Sequence, residues 1–163
     1  MVREIRASKP IITMTIDAPV LPQVTKLWKK SVREEKLRKG VLIVDDEPAF
    51  CDMIAEVISA IGYKTWKVHS AEAAMDAWAK DGGEIGLALV DVVMPAVDGL
   101  TLIAELRRRD PRIQMVLVSG RLDEDTRWLA SESGCLFVSK PFEVSELTEL
   151  IEELLGSLSS STD

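Results

Sequence analysis

At 163 residues the chain has the length for one domain with a full hydrophobic core and little for a second, and its 47% apolar and 29% charged residues exclude wholesale disorder. The longest apolar runs, such as Val41–Val44 and Leu87–Val90, fall far short of the roughly 20 residues that span a bilayer, and no signal-peptide pattern opens the chain, so a cytoplasmic location is expected. The net charge of −7 is unevenly placed: residues 1–40 carry ten Lys or Arg against four Asp or Glu, and the remainder carries ten against twenty-three, the pattern of a basic arm on an acidic domain.

Residues 1–39 form the expected N-terminal extension. Ile11–Ile16 alternates apolar and threonine positions like a short strand, Pro19 and Pro22 break it, and Lys26–Lys39 has the spacing of a basic helix carrying Leu27, Trp28, Val32 and Leu37. Such an arm could meet an acidic partner, extend the sheet edge, pair two chains as a homodimer, or remain a solvated helix. Direct nucleic-acid binding is not expected, because a short basic helix without a base-reading motif supplies charge but no sequence specificity.

From residue 40 short β-branched runs alternate with longer segments of helical spacing. The spacing predicts strands over Val41–Val44, Tyr63–Val68, Leu87–Val90, Ile113–Val118 and Leu136–Val138, three of them continuously apolar as strands covered on both faces should be. It predicts helices over Ala49–Ala60, Ala71–Ala79, Leu100–Arg109, Glu124–Ser131 and Val144–Leu155. The last places Val144, Leu147, Ile151, Leu154 and Leu155 on one side and glutamates on the other. Gly62 and Gly134 follow helices where a left-handed cap is wanted, and Pro111 stops the third helix. Right-handed crossovers make five such units a doubly wound, parallel (βα)5 sheet over residues 40–157, followed by a polar tail at 158–163. Strand order is not readable from the pattern. In the flavodoxin-like order 2-1-3-4-5, ligands bind beyond the carboxyl ends of the strands, near the switch between the first and third.

Cys51 and Cys135 lack the spacing of a metal knuckle or disulfide framework and are expected to be buried, reduced thiols. His69 has no sequence partner for a zinc site or triad and is expected to be a plain strand-end residue.

Four expected strands end in groups suited to phosphoryl chemistry. The first runs into Asp45-Asp46-Glu47, the third into Asp91, the fourth into Ser119-Gly120 and the fifth into Ser139-Lys140-Pro141. Singly, each has an ordinary explanation: Asp46 as a helix N-cap before Pro48, Asp91 as a turn residue before Pro95, Ser119 as a loop hydroxyl, Lys140 as a surface lysine. Together they fall at one edge of the sheet. Carboxylates about 4 Å apart repel by about 4 kcal/mol per pair at an effective dielectric of 20. Mg²⁺, a hard octahedral ion that retains open positions for phosphate oxygens, is the expected counter-ion, with Lys140 as the second positive charge.

With these residues, Asp91-Val92-Val93-Met94-Pro95 followed by Asp98-Gly99, and Lys140-Pro141-Phe142, residues 41–157 resemble a response-regulator receiver domain of the chemotaxis-regulator type. The resemblance implies that Asp91 takes a phosphoryl group from a sensor histidine kinase, a histidine phosphotransfer protein or a small phosphodonor. It implies that Asp46, Asp91 and the Val93 carbonyl bind Mg²⁺ directly and Asp45 through water, with Lys140 helping to stabilise charge on the transferring group. It further implies that Ser119 hydrogen-bonds the new phosphoryl group and that Phe137, where many members have tyrosine, turns inward as that hydroxyl moves. The implied output surface is the fourth helix, fifth strand and fifth helix, including Leu122–Ala130 and Phe137, and it would bind a downstream protein target. Lys140-Pro141 matches the family's cis peptide, which X-Pro bonds tolerate.

On this view the chain is a phosphoacceptor that promotes its own phosphorylation and dephosphorylation, and not a conventional enzyme. The alternatives are a receiver segment of a hybrid kinase or longer regulator, and a receiver-like binding module that works without phosphorylation. Val93 and Arg121 stand where relatives that lose phosphate quickly tend to place polar or acidic groups, so a long-lived phosphoryl state is expected. Val93→Asn should therefore shorten its half-life when dephosphorylation is followed by intact mass, and equal lifetimes for the two proteins would contradict this reasoning.

Overall fold

The computed structural model describes residues 39–94, 99–120 and 124–156, with the side chains of Thr126 and Leu129 outside that description. The strand and basic helix expected in the N-terminal extension, the motif residues Pro95 and Asp98, the loop residues Arg121 and Leu122 and the tail at 158–163 lie outside the described residues.

Among the described residues five strands alternate with five helices: β1 Gly40–Val44, α1 Pro48–Ala60, β2 Thr65–Val68, α2 Ala71–Asp81, β3 Ile85–Asp91, α3 Gly99–Arg109, β4 Gln114–Ser119, α4 Glu124–Glu132, β5 Leu136–Ser139 and α5 Val144–Leu155. All neighbouring strands pair in parallel, and their order is β2-β1-β3-β4-β5. This is the doubly wound sheet that the sequence periodicity implies. Among the described residues no helix is long and apolar enough to cross a membrane.

Alternation of side chains along the central strands divides the core into two layers. Leu42, Val44, Ala88, Val90 and Leu117 point to one face, where they pack with Ala74 of α2 and Leu102, Ile103 and Leu106 of α3. Val41, Ile43, Leu87, Leu89, Val116 and Val118 point to the other, against Cys51, Ile54 and Ile58 of α1 and Leu147 and Ile151 of α5. A sheet covered on both faces explains why β1 is buried at every position and β3 at all but its last.

The two glycine caps form as the sequence implies. Gly62 has φ 96° and Gly134 φ 62°. Gly62 N donates to Ser59 O and Tyr63 N to Ile58 O, while Gly134 N donates to Ser131 O and Cys135 N to Ala130 O. Each pair is a Schellman closure, in which the reversed backbone returns to satisfy the helix's last carbonyls. The first closure also corrects the expected start of the second strand, because Tyr63 is engaged in ending α1 and β2 begins at Thr65.

Cys51 is buried, but Cys135 is only partly so; both are free thiols. Cys135 sits just after the α4 cap, where its sulfur is 3.5 Å from the Arg107 guanidinium, so it is not the core residue its apolar neighbours suggest. Burial, with the nearby Asp45 charge, pushes the Cys51 thiol up to about 11, which keeps it protonated and inert at neutral pH.

Candidate functional site

The carboxyl ends of β1, β3, β4 and β5 come together because the strands are parallel and nearly in register. Val44 pairs with Val90, so Asp45 and Asp91, one residue further along each strand, stand side by side. Asp91 pairs with Val118, which places Ser119 just beyond it, and Ser119 pairs with Ser139, which brings Lys140 into the same row. Strand order thus converts residues almost a hundred positions apart into neighbours.

Asp45 is the most enclosed charge of the group, 2% exposed. Its Oδ1 accepts the Glu47 N–H at 2.9 Å and its Oδ2 accepts from Lys140 Nζ at 2.7 Å. Its main-chain carbonyl accepts from the Cys51 thiol at 3.4 Å and lies 3.0 Å from His69 Nδ1. His69 is therefore more than a strand-end residue: with Cys51 it ties the carbonyl of Asp45 to both β2 and α1.

Asp46 is exposed, and the helix it was a candidate to cap begins otherwise. The N-cap of α1 is Glu47, which makes no side-chain cap bond, and Pro48 occupies the first turn, where the lack of an N–H costs nothing. Asp46 is thus left without that structural duty.

Asp91 is largely enclosed; its Oδ1 accepts the Val93 N–H at 3.0 Å and its Oδ2 lies 3.9 Å from Lys140 Nζ. Burial is the main force holding its carboxyl above the ordinary carboxylate range, and repulsion from Asp45 and Asp46 adds to it. The Val93 amide and Lys140 pull the other way. Gly99, at the start of α3, backs this strand end so closely that a Cβ there would collide with the Asp91 carbonyl oxygen, and the Gly99 N–H donates to Val92 O at 3.4 Å. The Asp98-Gly99 dipeptide was visible in the sequence as a motif, but its steric reason was not.

Ser119 is buried, and its carbonyl accepts the Lys140 N–H at 2.8 Å. Phe137 is half-buried against the core layer formed with α2 and α3. Val93 is exposed. The Lys140–Pro141 bond is cis.

Ligand oxygens of Asp45, Asp46 and Asp91 all lie within 4.8 Å of one another. Three carboxylates and one ammonium leave a net charge of −2 when all are ionised. Hard oxygen donors, a fit in charge to a divalent cation and an exposed Asp46 at the mouth are the features an Mg²⁺ site requires. The donor set therefore fits that ion.

A model of the response regulator receiver domain matches residues 41–152. The chain belongs to that family. This receiver is 32% identical over 140 residues to the sensor kinase CckA of Brucella abortus (strain 2308), a match covering 85% of this chain but only 15% of that kinase. It is 25% identical over 120 residues to sporulation initiation phosphotransferase F of Bacillus subtilis (strain 168), covering 73% of this chain and 95% of that protein. A solved CheY-like receiver domain protein from Methanospirillum hungatei JF-1 superposes with a TM-score of 0.66 at 24% identity, over 71% of this chain and 91% of that one, a likeness of fold. Two-component and phosphorelay signalling is thus the setting of the family to which the acidic cluster belongs.

Proposed function

We propose that Asp91 accepts a phosphoryl group from a sensor histidine kinase or histidine phosphotransfer protein, and that the resulting charge biases the face formed by α4, β5 and α5 toward binding a downstream protein. The juxtaposition of Asp45, Asp46 and Asp91 with Lys140 carries this reading. In the transfer, Asp91 Oδ2 attacks phosphorus in line; the new O–P bond forms as the bond to the donor imidazole nitrogen, or to the acetate oxygen of acetyl phosphate, breaks. The leaving group keeps that bonding pair. The Val93 N–H holds Oδ1 and so fixes which oxygen faces the donor.

Asp46, Asp91 and the Val93 carbonyl would hold Mg²⁺, with Asp45 acting through water. The ion, when bound, neutralises charge on the equatorial phosphoryl oxygens. Lys140 begins on Asp45 and has the reach to follow the charge to the phosphoryl group. Ser119 then donates its hydroxyl to a phosphoryl oxygen, and Phe137 repacks behind it. Receivers that work this way act as phosphoacceptors rather than as conventional enzymes.

Incubation with acetyl phosphate and Mg²⁺, followed by intact mass, is the direct test. The expected result is one added phosphoryl group, lost when the metal is chelated. No labelling would support the receiver-like module that binds partners without phosphorylation, and labelling indifferent to chelation would overturn the metal-dependent acceptor reading.

A receiver segment of a hybrid kinase is a second reading with its own support. The 140-residue similarity to the sensor kinase exceeds what residues 39–163 can supply, so it extends into the basic arm.

A further inference from the structure

Beside the acidic cluster stands an aromatic group that none of the preceding chemistry uses. Phe50, in the first turn of α1, presents the face of its ring to the Lys140 ammonium, with Nζ 3.8 Å from the ring centroid. The ring is itself held edge-on by Phe142, centroids 6.1 Å apart and planes at 83°. Phe142 lies two residues beyond Lys140 and opens the approach to α5. The two rings, with Val44, Asp45 and Asp91, line a small hollow beneath the carboxylates.

We propose that Phe50 is a positioning residue for phosphoryl transfer, whose ring face holds the Lys140 ammonium between Asp45 and Asp91. The inference rests on the reading of Asp91 as phosphoacceptor and Lys140 as the cation that follows the transferring charge.

A lysine ammonium sits on a flexible stem and goes to whichever carboxylate draws it. Here it contacts Asp45 at 2.7 Å and stands 3.9 Å from Asp91. The negative face of a ring attracts the cation without competing for a particular N–H, so the hydrogen-bond donors remain available to Asp45 and to incoming phosphoryl oxygens. The ring therefore acts as a platform on which Nζ can pass from one oxygen to the next without leaving the site. A side chain of similar bulk but no π face would fill the space and lose that guidance. Packing alone is the competing explanation, since Phe50 also touches the core layer beneath α1 and α5.

Electron density in the ring separates the two. The test compares the wild type, Phe50→Leu, Phe50→Tyr, and the same 163-residue chain carrying mono-, di- or trifluorophenylalanine at position 50, which change the ring's charge distribution far more than its size. Three readouts are taken: the rate of Mg²⁺-dependent labelling by acetyl phosphate, the NMR shift of the Lys140 Cε protons, and the thermal midpoint. Phe50→Leu is expected to slow labelling about fivefold, the worth of a partly desolvated cation–π contact, while Phe50→Tyr stays within about twofold. The fluorinated proteins are expected to slow stepwise with each fluorine while the midpoint falls far less than in Phe50→Leu, and the upfield shift of the Lys140 Cε protons is expected to vanish in Phe50→Leu.

A trifluorinated protein that labels at the wild-type rate overturns the proposal, and if Phe50→Leu does not fold, the fluorinated series decides alone. Should the wild type itself take no label, the acceptor reading fails. The NMR shift then judges the ring contact separately: an unchanged shift in Phe50→Leu overturns it, and its loss sustains it.

Discussion

Asp91→Asn is expected to take no phosphoryl group from acetyl phosphate under conditions that label the wild type to completion, and yet to be the more stable protein. An amide keeps the Val93 N–H bond through its carbonyl oxygen but offers no anionic oxygen to attack phosphorus. Asp91→Glu distinguishes loss of the group from loss of its placement: one extra methylene should cost about a hundredfold in labelling rate, the usual effect of a displacement near 1 Å. The gain in stability follows from the environment of Asp91, whose carboxyl is held above the ordinary range chiefly by burial. In the window between the unfolded and folded values the native state binds more protons than the unfolded state, so metal-free stability falls as pH rises through it. The penalty is complete once the pH lies above that window. In chelator, Asp91→Asn should therefore exceed the wild type near pH 7 within the about 0.5–2 kcal/mol of ordinary stabilising substitutions, and the difference should shrink on acidification. Equal thermal midpoints at pH 7 would mean that the carboxylate is not under the strain described. Lost function with gained stability marks a group whose ionisation is needed for chemistry and opposes folding.

The sequence carries much of this arrangement because the central strands keep their polar residues at their ends, Asp91 on β3 and Gln114 and Ser119 on β4, and leave the pattern between them uninterrupted. β1, β3 as far as Val90 and most of β4 are continuously apolar and lie in the middle of the sheet; β2, with Lys67, and the half-buried β5 lie at its edges. The edge position of β2 is thus legible in polarity, whereas β5, Leu-Phe-Val-Ser, reads as apolar as a central strand and its edge position does not show. The order among the three central strands is not legible, since equally apolar runs fit any of them, and that order alone puts Asp45 beside Asp91. The Gly62 and Gly134 caps could be read because a left-handed residue is local chemistry. Long-range partners could not. Phe50 looks in the sequence like another apolar position on α1, next to Cys51 and Ile54, and its association with Lys140 depends on a meeting of α1 with the end of β5. The same holds for His69 and the Asp45 carbonyl. Asp46 was a credible helix cap until α1 was seen to begin at Pro48 with Glu47 as its cap.

Lys140→Met is expected to act on both labelling and stability. Methionine preserves most of the stem and removes the ammonium, which leaves Asp45, 2% exposed, with the Glu47 N–H but no countercharge, and removes the positive charge facing Asp91. Removing one partner of a fully buried pair costs about 3–5 kcal/mol; the side chain of Lys140 is 23% exposed and Asp46 opens to solvent, so a loss of about 1–3 kcal/mol is expected here. The thermal midpoint in chelator should fall by several degrees. Asp45→Asn in the same protein should recover much of the loss, because the amide can accept from Glu47 without carrying an unpaired charge. A double-mutant cycle measures that coupling, and additive effects would show that Lys140 and Asp45 do not stabilise one another. Labelling should behave differently. The double variant regains stability but has neither Lys140 nor the full carboxylate cluster, so its rate with acetyl phosphate should remain at least about a hundredfold below wild type, the scale seen when one preorganised charge is removed from a transition state. Stability restored without labelling would show that the Lys140–Asp45 pair serves the transfer as well as the fold, since the charges the fold can lose together are still missed by the chemistry.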